Sequence, residues 1–390
     1  MAVRTVSILG GNWNAVTAWT GGVVPIAGDT VDFTATSGNL TVNVSTANLI
    51  GINFTNYVNT ITFSQPINTN GTVNLGTGGY TQAGTSGLVI NGTTTISGTT
   101  TWSRTFTFTG ASITVTLSND LNITGLTTIS TFTLLSFSTG ANLFNPTGDL
   151  SIASSGSINL PNNIYINSLT INCNNNPNIN LNNMNVYGNL QIDGTNTANG
   201  TSKIILVGNG TWSNSSNGVL TIDVTINANV IELGTNIYYS SGTLTYINGK
   251  IISKNSTFNI STGTTTTLIN CHKINFNNIK ISSGHTITMN EFFSGSPSLV
   301  TNISSIGATN YTITFQDNFE KIAKFVNINN CTLSKPQQLL VITNSPKSST
   351  NTRGIRYINQ SPNGIAKGDP SVRNTMTFGA GGLLSDPNMR

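Results

Sequence analysis

The chain has 390 residues, of which 37% are apolar and only 7% charged, with a formal net charge of +4. Disorder is excluded, because it needs high net charge and few β-branched residues, whereas Ile, Val and Thr recur here at short intervals. Also excluded are a membrane span, since no run approaches about eighteen apolar residues, and a disulfide framework, since Cys173, Cys271 and Cys331 form no CxxC or metal-type spacing.

The stretch "GNWNAVTAWTGGVVPIAGDTVDF" (11–33) sets two tryptophans six apart, then a turn, then an alternating run. Trp13 and Trp19 supply large apolar area, while Pro25, Gly28 and Asp29 supply the turn chemistry that launches a first strand over 30–34. Residues 1–34 are therefore expected to form a Trp-rich amino-terminal cap.

Short alternating runs follow for some three hundred residues, each bounded by Gly, Asn or Pro: "LTVNVST" (40–46), "NTITFSQ" (59–65), "SITVTLSNDLNITG" (112–125), "GVLTIDVTI" (218–226) and "HTITM" (285–289) among them. This is the pattern of short strands joined by turns. The phrases "IGINFTN" (50–56), "LTINCNN" (169–175), "INFNNIKI" (274–281) and "FVNINNCTL" (325–333) are variants of one theme, alternating apolar residues that end in an Asn-rich corner. Their irregular spacing implies turns of variable length.

The expected fold is all-β: a right-handed parallel β-helix, or solenoid, of short irregular rungs. Its first half is expected over 35–202 and its second over 203–344. Stacked Asn amides should bond one another at its corners. The alternative is an array of antiparallel β-sandwiches, which would show larger aromatic cores and more hairpin dipeptides such as Asn-Gly. A solenoid's first rung exposes an unpaired edge and an apolar cross-section, which is why a cap belongs before it. One segment, "DNFEKIAKFVNI" (317–328), has helical periodicity and predicts a single turn of helix.

Residues 345–390 change character. They hold four of the eleven prolines, six basic residues and two acidic ones, and lack sustained alternation. They predict an extended basic arm that docks on a neighbouring copy through Arg353, Arg356, Tyr357, Lys367, Arg373, Phe378, Leu383 and Leu384.

Charge is uneven along the chain. Residues 1–202 carry two basic and five acidic residues, and residues 203–390 carry fourteen and seven. The basic residues are scattered and form no dense run, so nucleic acid is not an expected partner. Titratable groups do not converge either. His272 and His285 are thirteen apart and read as surface or stacked-rung side chains. Only Asp29/Asp32 and Asp317/Glu320 are acid pairs close in sequence, and both belong to turns. No catalytic residue, metal ligand or cofactor site is expected, and the three cysteines read as buried thiols. Trp102, Trp212, Tyr238, Tyr239 and Tyr246 read as core or rung-end residues rather than sugar-stacking platforms.

The spacing of Trp13 and Trp19, followed by Gly-Gly, Val-Pro, Ala-Gly-Asp and Val, resembles the start of right-handed β-helix proteins of the G8-like and passenger-domain type. It is also similar to the opening of bacteriophage and environmental-virus structural proteins. The segment 208–260, with "GTW", "GTLTY" and "STFNI", resembles β-helical repeats of phage virion proteins. The resemblance covers these two stretches and brings no catalytic motif. It implies a non-enzymatic virion structural protein of a tailed bacteriophage: a rigid fibre, spike or capsid-surface decoration. The partners it implies are other copies of the chain (a homotrimer, by analogy), other virion proteins and a host-surface glycan, with no membrane. The start "MAVRTVSILGGNW" lacks a signal peptide's apolar core, which fits synthesis in a host cytoplasm and release by lysis. The alternatives are a bacterial surface adhesin and a polysaccharide-degrading tailspike; the latter needs two carboxylates about 5–10 Å apart in one groove.

Overall fold

The computed structural model describes residues 2–154, 156–161, 163–172, 178–180, 183–194, 197–198, 203–214, 218–239, 242–252, 256–260, 265–271, 274, 276, 278–293, 301–307, 309–317, 321–324, 326–334, 340–343 and 355–358. The chain divides into two compact units, Met1–Ile252 and Ser253–Arg390. Both are β-solenoids, and no described residue is α-helical.

In the first unit the chain passes again and again through three short strands in a fixed order. Leu169–Asn172 is followed by Asn178–Asn180 and Asn183–Val186, and then the chain returns at Leu190–Asp193. We call the three stacks so formed faces A, B and C. On face A, Leu169 pairs with Leu190 and Leu190 with Trp212. On face B, Ser157 pairs with Asn178. On face C, Ile164 pairs with Met184 and Met184 with Ile204. The repeat is about 21 residues. Its length does vary, as the irregular phrases implied: Gly87 pairs with Thr105, 18 residues on, and Thr127 with Leu150, 23 on. Every strand pairing described within either unit is parallel, so the antiparallel sandwich array is not what the chain forms. The one antiparallel contact is the single-residue bridge Val6–Trp19.

The period-two pattern of sequence becomes the period-two pattern of burial. On face C, Leu121 and Ile123, Ile164 and Ile166, Met184 and Val186, and Ile204 and Leu206 all point inward, with the residue between them turned outward. Each such side chain contributes roughly 1.5–3 kcal/mol by leaving water, set against about 1–2 kcal/mol of backbone entropy for each residue fixed. Burial on three sides of a narrow core is therefore what holds short strands in place. Aromatic rings thicken the early turns: Phe33 stacks on Phe54 at 4.4 Å and Phe54 on Tyr80 at 5.1 Å. Trp102, Trp212, Tyr239 and Tyr246 are buried and Tyr238 half-buried, as core and rung-end residues.

The expected amide ladders are present at the corners. Asn43 donates Nδ2–H to Asn14 Oδ1 at 2.8 Å, and Asn145 donates to Asn122 at 3.1 Å. In the second unit Asn327 donates to Asn302 at 3.0 Å and Asn302 to Asn278 at 3.5 Å. Asn270 and Asn330 adopt positive φ, 56° and 54°, which Asn tolerates better than most residues and which turns the chain at those corners.

The second unit also has three parallel ladders. The first joins Thr257–Ile260, Asn278–Ile281, Thr301–Ser305 and Val326–Ile328. The next joins Thr265–Ile269, Thr286–Met289, Tyr311–Phe315 and Cys331–Leu333. The last joins Lys321–Lys324, Leu340–Thr343 and Ile355–Ile358. Here one expectation fails. The predicted helical turn over 317–328 is instead two strands, Lys321–Lys324 and Val326–Ile328. Neighbouring strands thirty residues and more away supply hydrogen bonds and burial that local propensity does not reflect.

Candidate functional surfaces

The cap is built from both ends of residues 2–34. The tryptophan rings meet edge to face, centroids 4.8 Å apart, and each is 2% exposed. Trp19 donates its indole N–H to the Trp13 carbonyl at 2.7 Å, which fixes the short 3-10 turn Val16–Ala18 between them. Pro25 is buried, and Gly28 takes φ +81°, a conformation that favours glycine. The launched strand is Thr30–Asp32, shorter than the expected 30–34.

Asp29 ties this turn to the chain's first strand. Its carboxylate accepts Arg4 Nε–H at 2.9 Å, Ala2 N–H at 2.9 Å and Ile26 N–H at 3.3 Å. The Arg4 hydrogen bond holds its pKa below the ordinary carboxylate value; burial opposes that, and the two backbone donors and the Arg4 charge add to it. Sequence reasoning found Asp29 and missed Arg4, 25 residues away. It also missed Ser37, wholly buried, whose hydroxyl donates to the Val6 carbonyl at 2.9 Å. Tyr57 completes the cap's underside, donating to Gly38 O and Thr60 O at 2.9 and 2.8 Å.

The residues expected to form the arm are placed only in part. Arg356 and Tyr357 sit in the strand Ile355–Ile358, which adds a rung to the last ladder. Arg353, Lys367, Arg373, Phe378, Leu383 and Leu384 lie outside the described residues.

The titratable groups are occupied by the fold. His285 is 2% exposed with Nε2 and the Thr266 hydroxyl 2.9 Å apart, while His272 lies outside the described residues. Cys271 and Cys331 are buried free thiols, as expected, and burial pushes Cys331 up to about 12 despite a hydrogen bond with Tyr311. Cys173 is outside the described residues. Among the described residues no group of three or more His, Cys, Asp or Glu is placed to hold a metal ion. No described helix is long and apolar enough to cross a membrane.

One ionic cluster was not foreseen. Lys321 occupies an inward position of its strand, 6% exposed, while its neighbour Ile322 points outward at 60%. Its ammonium donates to Asp317 at 2.9 Å and Glu291 at 3.2 Å. Burial lowers its pKa, but the two carboxylates outweigh that and raise it. The lysine therefore stays charged at neutral pH, and the carboxylates on either side are bound to one cation. Glu320, the other half of the sequence pair, lies outside the described residues.

Between the corners, the outward positions form uncharged rows. On face A, Thr107, Thr128, Ser151, Thr170 and Gln191 follow one another in register. Comparison with protein-family models, with curated proteins and with solved structures finds no match to this chain.

Proposed function

We propose that this chain is a non-enzymatic structural protein of a virus particle, of the tailed-bacteriophage kind, acting as a rigid β-solenoid rod in a fibre, spike or capsid-surface decoration. The observation that carries this reading is the parallel stack itself. A three-sided ladder with buried inward residues on every face and amide bonds along its corners resists bending and unfolding at any single point. Such a fold is compatible with a fibre or spike role. The uncharged outer rows leave little for long-range steering and much for close self-association.

The chemistry of the side chains supports the same reading. Glycan cleavage by β-elimination needs a neutral base, and Lys321 is held protonated between two carboxylates. Hydrolysis needs one acid free to donate and another free to attack, whereas Asp317 and Glu291 share one cation. The chain's expected partners in such a particle are its own copies and other virion proteins.

Immunogold labelling of purified particles with antibody against this chain tests the proposal. Label on projections or on the capsid surface is the expected result. Label confined to cell envelopes would replace the reading with an adhesin, and release of reducing ends or unsaturated sugars from a polysaccharide would replace it with a depolymerase.

A further inference from the structure

Face C differs from the other two faces of residues 1–252 in what it turns to solvent. Among the described residues from 27 to 252, each exposed large apolar side chain lies in a face C strand or within three residues of one. They include Leu126, Leu143, Tyr165, Tyr187 and Ile247, with two valines nearer the amino end. Tyr165, at the middle of its strand, is 51% exposed, and so is Tyr187. Thr, Ser and Gln hold the equivalent positions on face A. Apolar residues gathered on one face and absent from its neighbours mark a surface that is covered in use.

The charges on this face are arranged about Tyr165. Asp120 and Lys203 are both exposed and stand on the same edge of the stack, at the starts of their strands. Asp120 precedes Leu121, whose partner in the next turn is Phe144, and it accepts Leu143 N–H at 2.8 Å. Ile164–Ile166 occupies the turn after that. Ile164 pairs with Met184, and Asn183 pairs with Lys203. The turn that carries Tyr165 thus lies midway, two turns from Asp120 and two from Lys203.

We propose that a second copy of this chain docks on face C in antiparallel fashion, about a two-fold axis that runs along the strand Ile164–Ile166. That operation sets Tyr165 against its own counterpart. It sets Asp120 against Lys203 of the second copy and, by symmetry, Lys203 against Asp120. The overlap runs from Thr81–Gly84 to Gly242–Ile252, about nine turns. At roughly 4.8 Å per turn and about 13 Å across, it covers on the order of 1,100 Å² over the two copies, the size at which stable interfaces begin. The pairing deepens the rod reading by naming the surface through which copies associate, and it is tested without reference to particles.

Sedimentation equilibrium of the full chain at micromolar concentration is the experiment. The expected species has twice the chain's mass. Tyr165→Glu should weaken it by about tenfold or more, as loss of a central aromatic anchor does. Asp120→Lys and Lys203→Asp should each weaken it, and the double variant should return to within about threefold of the natural chain. All three positions face solvent, so the circular dichroism and thermal midpoint of each variant should match those of the natural chain. A monomer, a three-copy species, or single charge reversals that weaken the dimer with no rescue by the double variant would each overturn the pairing. None of these results bears on where the protein sits in a particle, which the labelling experiment reads separately.

Discussion

The first strand, Val3–Thr5, and the last described one, Ile355–Ile358, both stand at the end of a parallel ladder, and they are treated in opposite ways. The first is folded over by its own chain. Thr20 N–H bonds Thr5 O at 2.9 Å and Ser7 N–H bonds Ala18 O at 2.8 Å, so backbone from the Trp19 segment meets the groups that a further rung would have paired. The last ladder closes with a short step instead: Lys321 pairs with Leu340, 19 residues on, but Leu340 pairs with Ile355 after only 15. An inward position of that ladder is held by a lysine rather than an apolar residue. One region ends the solenoid with apolar area and saturated backbone. The other draws on charge, a device known from sheet edges that must not grow. A stacked fold has to stop, and it can stop by covering the next rung or by spoiling it.

The largest expected effect is on the covered end. Trp19→Ala should cost about 3–5 kcal/mol, since it removes a buried ring and leaves a cavity beneath the cap. Trp19→Phe should cost less, because it keeps most of the area and loses chiefly the hydrogen bond to Trp13 O, worth about 0.5–1.5 kcal/mol. Urea denaturation of residues 1–252 within the full chain reads both values. A cost well under 1 kcal/mol for Trp19→Ala would break the contrast between the two regions.

A smaller effect is expected at Asp29, and it carries a pH signature. The folded-state pKa lies below the ordinary value of 3.8, so the stabilisation is present above that value and is lost as pH falls through the folded one. Asp29→Asn should cost about 1–3 kcal/mol at neutral pH, where charge-assisted bonds to Arg4 and two backbone donors are weakened. The gap in thermal midpoint between variant and natural chain should narrow steadily below about pH 4. A gap that stays constant down to pH 2 would mean that the carboxylate's charge does not matter to the cap.

The smallest effect sharpens the other side of the comparison. Ile322→Thr should change stability by no more than about 0.5 kcal/mol, as surface substitutions do. Under the helical reading of 317–328, Ile322 and Ala323 would share the buried face and the same change would cost several times as much. Equilibrium denaturation of the second unit's transition distinguishes the two.

Residues 317–328 also show where the sequence stops being readable. Elsewhere inward residues are apolar and outward ones polar, so alternation reveals strands and, at Asn-rich corners such as Asn330, even the turns. At Lys321–Lys324 the pattern inverts: Lys321 and Ala323 face in, Ile322 and Lys324 face out. What makes the inversion tolerable is Glu291, thirty residues earlier in the chain, and no local pattern can show it. The cap divides in the same way. Trp13, Trp19, Pro25, Gly28 and Asp29 announce themselves by type and spacing, whereas Arg4 and Ser37 matter only because folding brings them to Asp29 and Val6. Face C is the least legible feature of all, because Tyr165 and Tyr187 look like any other aromatic residues until the three-strand turn assigns them to one side.

The claim that the cap terminates the stack, rather than merely decorating it, is tested most directly by amide hydrogen exchange on the natural chain and on Trp19→Ala. In a solenoid each turn leans on its neighbours, so damage at one end spreads a limited distance. The prediction is that Trp19→Ala loses protection in residues 2–34 and in the adjoining strands Leu40–Val42 and Thr60–Phe63, while Leu169–Asn172 and Leu190–Asp193 keep theirs. Protection unchanged at Leu40–Val42, with exchange accelerated only inside the cap itself, would contradict it.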